Sequence, residues 1–133
     1  MKTRAILPLI IGLAVLISVP SAMSAADNTA PKYDKATEVH LKGIVQDVRD
    51  YQCPISGTMG SHITLKTDTE VIELHLAATK YTKSYEIIFN KGDQIEVVGS
   101  RVKFQGADTI LAREITRGTD TFTFRDTDGK PVW

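Results

Sequence analysis

The sequence predicts an all-β domain with one short helix, and three observations carry that expectation. Two runs of alternating apolar and polar residues, His62–Thr67 and Glu70–Leu76, flank a turn at Asp68-Thr69, which is the pattern of a β-hairpin. Two further alternating stretches, Thr37–Arg49 and Gln94–Val102, each carry an internal glycine, Gly43 and Gly99, as bent or bulged strands do. Between them, Ala77–Phe89 brings Tyr81, Tyr85 and Ile88 to helical spacing, and Asn90-Lys91-Gly92 ends it as a C-terminal cap would.

The chain opens with Lys2 and Arg4, an apolar run from Ala5 to Val19 and small residues from Ser21 to Ala26. Basic, apolar and small-residue regions in that order predict a secretory signal peptide over 1–26. An uncleaved anchor is the competing reading, but the run contains Pro8 and is shorter than the ~20 residues a spanning helix needs. The protein is therefore expected in the periplasm or secreted, with no membrane span after cleavage. Residues 27–36 are polar, include Pro31 and read as a flexible leader. Residues 37–133 form one domain, in keeping with the ~100–150 residues usual for a single core.

Within that domain Thr37–Arg49 is a long first strand whose apolar phase changes at Gly43. Asp50–Ser61 carries Pro54, Gly57 and Gly60 and reads as a loop. The hairpin, the helix and the Gln94–Val102 strand follow, then a turn over Phe104–Asp108 and a fifth strand over Thr109–Thr116. After a turn at Arg117-Gly118, Thr121–Arg125 reads as an added sixth strand with Phe122 and Phe124 on one face. Five strands with a helix between the third and fourth is the order of a small Greek-key barrel of the OB type, with the helix plugging one end and its Tyr81/Tyr85 stripe in the core. A lipocalin-like barrel needs eight strands and a longer chain.

Charge and cysteine usage narrow the function classes. Without Lys2 and Arg4 the mature chain, residues 27–133, has 14 basic and 16 acidic residues, an acidic balance that argues against nucleic acid, whose phosphates call for a basic excess. Cys53 is the single cysteine, so no internal disulfide forms. Its thiol is an inert buried group, a free or intermolecular thiol, or a soft metal ligand.

The hairpin register follows from its turn. With the turn centred between Asp68 and Thr69, Ile63 faces Leu74 and Leu65 faces Ile72 on the core side. The other side pairs His62 with His75, Thr64 with Glu73 and Lys66 with Val71. Opposed strand positions hold Cβ atoms roughly 4.5–5.5 Å apart, so the imidazoles can share one ion. His62 and His75 with Cys53 and a distant Met59 suit copper, and two histidines with Glu73 suit zinc or iron. The plainer alternative is two surface histidines on a solvated strand face, and His40, near the start of the first strand, reads as solvated too. The same outward face lacks Phe, Tyr and Trp, so it has no platform for stacking bases. Tyr51 is its nearest aromatic.

Other motifs are weaker. Asp126-Thr127-Asp128-Gly129 resembles the opening of a calcium loop, but the later ligand positions are missing and a plain turn is the reading. Trp133 packs on the barrel or inserts into a partner, and packing is favoured because one terminal indole covers a barrel edge. No Ser or Cys has a nucleophile signature, and Asp47 and Asp50 read as solvated strand-end carboxylates, so no enzyme is expected.

The stretches Gly60-Ser-His-Ile-Thr-Leu-Lys-Thr, Val71-Ile-Glu-Leu-His-Leu and Gly92-Asp-Gln-Ile-Glu-Val-Val-Gly-Ser-Arg-Val, with the ending Phe124-Arg-Asp-Thr-Asp-Gly-Lys-Pro-Val-Trp, resemble a group of small exported bacterial OB-type domains. That group is similar to the domain of the magnetosome proteins MamS and MamX. The resemblance implies a secreted or periplasmic OB-like domain with no established catalytic activity. It does not bring covalent haem, because the chain has no Cys-x-x-Cys-His, and Ala77-Ala78 stands where relatives would carry Gly-Pro. Two functions follow. The first is an exported binding module for a protein or envelope ligand, using Tyr51, His62, Thr64, Lys66, Glu73, His75 and Trp133 together with the 51–61 loop. The second is a periplasmic metal-handling or redox-accessory protein, taking copper or zinc on His62 and His75 with Cys53 or Met59.

Overall fold

A computed structural model describes residues 29–133, so the expected signal peptide lies outside the described residues. A short 3-10 turn at Lys35–Thr37 leads into β1 (Glu38–Cys53), β2 (Thr58–Lys66), β3 (Val71–Ala78), α1 (Thr79–Ser84), β4 (Gln94–Phe104), β5 (Ala107–Arg117) and β6 (Asp120–Thr123). The sheet runs β3-β2-β1-β4-β5-β6, and β3 also pairs with β5. That last pairing is parallel, Glu73 to Thr109, Leu74 to Ile110 and His75 to Leu111. It closes the first five strands into a ring, and β6 adds to the outside of β5 as the expected extra strand. The β-rich, Greek-key, OB-like class read from the element order is the class the chain adopts. Among the described residues no helix is long and apolar enough to cross a membrane.

β1 is bent because it serves two partners. Residues 38–44 pair with β4 and residues 44–53 with β2, so the exchange falls at Ile44, beside Gly43, with a bulge between Val45 and Asp47. The β2–β3 register is the one the turn dictates: Ile63 with Leu74, Leu65 with Ile72, His62 with His75, Thr64 with Glu73. Its inward side chains join Val45, Val97, Ile110, Ile115 and Phe124 in one core cluster. Burying each such side chain contributes about 1.5–3 kcal/mol, which is what holds the ring shut.

The seam between β4 and β5 depends on Gly99, at a bulge opposite Ala112. A Cβ there would run into the Leu111 carbonyl oxygen and come within 2.6 Å of Ile110 Cγ2. Gly99→Val is therefore expected to lower stability by about 1–3 kcal/mol. The measurement is the urea midpoint; a midpoint equal to that of the unaltered chain would mean that the seam yields freely.

Three local expectations are corrected. Asp50–Ser61 is not a loop: β1 continues to Cys53 and β2 starts at Thr58, leaving a tight turn at 54–57. Gly57, at φ 71°, donates its N–H to the Cys53 carbonyl at 3.0 Å, and Ser56 Oγ ties the carbonyls of Cys53 and Thr58. The Pro and Gly signals thus mark one turn, and Gly60 lies within a strand. The helix covers only Thr79–Ser84, too short for a stripe through Ile88. Tyr81 packs on the core, but Tyr85 and Ile88 are 69% and 63% exposed, and Phe89 is buried instead. β6 ends at Thr123 rather than Arg125, and the chain then turns through 126–129. Asp126 Oδ1 accepts from the N–H groups of Asp128 and Lys130, each at 2.9 Å, which makes this segment the plain turn expected.

The end of the stretch read as leader is held to the barrel. The Asp34 N–H donates to Ser100 Oγ at 3.0 Å, and Tyr33 donates its hydroxyl to Glu38 at 2.6 Å. Arg113 holds the same Glu38 carboxylate through two contacts of 3.1 Å.

Candidate metal centre

Strand pairing assembles the site. Arg49 opposite His62, Tyr51 opposite Gly60 and Cys53 opposite Thr58 put Tyr51, Cys53 and His62 on the side of the hairpin away from Ile63 and Leu65. β3 then sets His75 opposite His62. Cys53 Sγ lies 3.4 Å from His75 Nδ1, and the imidazoles meet edge to face at 4.6 Å between ring centroids. One donor atom from each of Cys53, His62 and His75 can be chosen so that all three lie within 4.8 Å of one another.

The imidazoles do not stand on water, which corrects the expected solvated pair. His62 is 2% exposed, His75 5% and Cys53 1%. Tyr51 stacks on His62 at 3.7 Å, nearly parallel, and Phe104 meets His75 edge-on at 5.7 Å. Arg125 and Trp133, brought back by the C-terminal turn, line a void of about 10 Å³ together with Cys53, His62 and His75. That is about the volume that holds one water-sized particle. Alternation correctly assigned this face as outward from the core, but it did not show that the tail covers it.

The covered site has unspent hydrogen-bonding capacity. His62 Nδ1 and His75 Nε2 are buried without a hydrogen-bond partner, which is costly for a polar atom that has lost its water. Burial, helped by the neighbouring His62 and Arg125, pulls the His75 pKa from 6.5 down to about 3. Burial also lowers that of His62, against the pull of Glu73. Neutral imidazole is the form a metal ion needs. His75 Nε2 faces the Glu73 carboxylate at 3.9 Å, and Tyr51 donates its hydroxyl to that same carboxylate. A carboxylate behind a histidine is the usual support that fixes a ligating ring. Burial first, and then the bond to Glu73, push the Tyr51 phenol up, so it stays protonated as a donor.

The donor set is chemically specific. Around one ion, thiolate at ~2.3 Å and imidazole at ~2.0 Å place donors about 3.3–3.7 Å apart. Cys53 Sγ and His75 Nδ1 already meet that separation at 3.4 Å. One sulfur and two neutral nitrogens suit copper or zinc, and hard ions such as calcium or magnesium require oxygens.

Other residues named from sequence fall elsewhere. Met59 is 42% exposed, and alternation along β2 puts its side chain on the opposite side of the strand from His62. Of the seven residues read as a recognition face, only Lys66 is exposed; Tyr51, Thr64, Glu73 and Trp133 are half-buried and the histidines are buried. His40 is exposed and paired with Val98, far along β1 from the site. Asp47 forms an ion pair with Arg49 at 3.3 Å, and Asp50 is exposed. Trp133 packs on the core, as favoured. Phe104 and the burial of Arg125 were not legible, because neither shares a spacing pattern with the hairpin.

A groove of about 560 Å³, lined by Tyr51, Glu73, Phe104 and Thr109, adjoins the site. A similar groove of about 520 Å³ beside Lys42, Gln94 and Thr116 holds no His or Cys and lies away from the donor group. In comparisons with known proteins, residues 37–122 match the sequence model of the MamS/MamX magnetosome protein family. No curated protein matches the chain. The matched span includes Cys53, His62 and His75 and stops before Arg125 and Trp133.

Proposed function

The chain belongs to the MamS/MamX magnetosome protein family, and on that premise we propose that it is an exported, non-catalytic metal-handling protein whose centre is Cys53, His62 and His75. One observation carries the reading: three buried donors within 4.8 Å of one another, with a nitrogen of each imidazole left unpartnered. A barrel of this size gains no stability from two buried imidazoles beside a thiol, since an apolar trio would pack there without stranded polar atoms. A bound ion would take lone pairs from the thiolate and from one nitrogen of each ring, on His75 the Nδ1 that already lies beside the sulfur, and the His75 Nε2 proton would point at the Glu73 carboxylate 3.9 Å away. Copper and zinc are the candidates, and export through residues 1–26 would put the centre in the periplasm or outside the cell.

Titration of the full chain with Cu(I), Cu(II) and Zn(II), followed by the histidine ring NMR signals, tests this. One ion per chain is expected to move the His62 and His75 signals and leave those of His40 in place. The Cys53→Ser variant should lose the response. Ring signals that none of the three ions moves, or an unchanged titration in a His62→Ala/His75→Ala double variant, would remove the proposal.

A further inference from the structure

Arg125 is 7% exposed and lines the same void as Cys53, His62 and His75. Its Nη1 donates to the Gly129 carbonyl at 2.9 Å, and its Nε has no partner. The guanidinium lies 5.7 Å from the Tyr33 ring centroid and 5.8 Å from that of Trp133. Among the described residues no carboxylate forms an ion pair with it; Arg49, Arg101, Arg113 and Arg117 each have at least one such partner. The carboxylates whose charge acts on His62 are Glu73, a third exposed and engaged by Tyr51, and Asp50, exposed. Both are screened by solvent, and the guanidinium is not.

We propose that this unpaired buried cation makes the centre selective for a monovalent soft ion, Cu(I), over divalent ions of the same ligand preference. The inference rests on the metal reading of the site. On binding, the Cys53 thiol gives its proton to water and its sulfur becomes a thiolate. With Cu(I) the thiolate and the ion cancel, and the two neutral imidazoles add no charge. With Zn(II) or Cu(II) a net positive charge stays buried beside a second positive charge, where poor screening makes the repulsion strong. Ligand number points the same way: three protein donors under a covering tail leave a fourth zinc position unfilled, and soft thiolate ligation favours Cu(I).

The test compares Cu(I) and Zn(II) affinities of the full chain, without oxygen, by competition against a coloured chelator for each ion. Arg125→Met removes the charge and keeps an apolar side chain of similar length. It is expected to raise Zn(II) affinity about tenfold or more and to move Cu(I) affinity much less. Arg125→Lys, which keeps the charge, should retain the original ratio. Arg125→Gln, which keeps a donor for Gly129, repeats the comparison should the methionine variant fail to fold. A Cu(I)-to-Zn(II) ratio that neither neutral variant changes would overturn the selectivity while leaving a Cys53-dependent site intact. Loss of Cys53-dependent binding for every ion would instead strike the site itself.

Discussion

The ion-free protein is expected to lose stability steadily as the pH falls below about 6.5, by roughly 1.4 kcal/mol per pH unit for each imidazole held neutral. The His75 pKa drops from 6.5 to about 3 on folding, chiefly through burial. Below 6.5 the unfolded chain takes up a proton that the folded chain refuses, so acid favours unfolding. His75 therefore contributes its full share above about 6.5, loses it through the acid range, and has nothing further to lose below about 3. His62 acts in the same direction, its pKa also lowered by burial. His75→Asn keeps a polar group near Cys53 but does not titrate. Urea midpoints across the acid range should fall less steeply for that variant than for the unaltered chain. Parallel slopes would show that the imidazole is not neutral in the folded state.

Phe124→Ala is expected to lower stability by about 3–5 kcal/mol, the usual range for emptying a fully buried aromatic site. Phe124 is 0% exposed and belongs to the core cluster. Its backbone also anchors the tail: its N–H donates to the Arg113 carbonyl at 2.8 Å, and its carbonyl accepts from Val132 at 3.1 Å. A loss of that size takes much of the 5–15 kcal/mol that holds a typical domain together. Trp133 is the only tryptophan, so its fluorescence reports on the tail directly. The variant should show a lower denaturant midpoint and a red-shifted indole emission before the main transition. A loss of stability below about 1 kcal/mol would mean that the side chain has little role in the core.

The part of the fold that could be read from sequence is the part governed by strand alternation and one turn. Asp68-Thr69 fixed the pairing of Ile63 with Leu74, and the same arithmetic brought His62 opposite His75. Gly43 and Gly99 marked real irregularities, because a strand changes partner or bulges where backbones approach closely. Burial of the outward face was not legible, because it is produced by a tail about 50 residues downstream and by Tyr51 and Cys53. Those two sit in a stretch where proline and glycines conceal the continuing strand. The helical stripe failed for a related reason: Tyr85 and Ile88 have the right spacing, but Thr79 and Thr82 are the residues that face inward, with Thr82 bonded to Ser61 at 2.8 Å. Identical residue types make an open patch or a covered centre depending on what later crosses them.

β3 is hydrogen-bonded on both flanks, to β2 in one direction and to β5 in the other. A strand gripped from two sides cannot slide by a residue without opening the ring, so the spacing of the two imidazoles is set by the barrel and not by any ion. On the proposed metal reading, an ion would have to pass the groups that cover the histidines, the Tyr51 ring or the tail that carries Arg125 and Trp133. Exchange would be slow wherever those covers are tight, and a variant that loosens the tail should speed release without altering which atoms hold the ion.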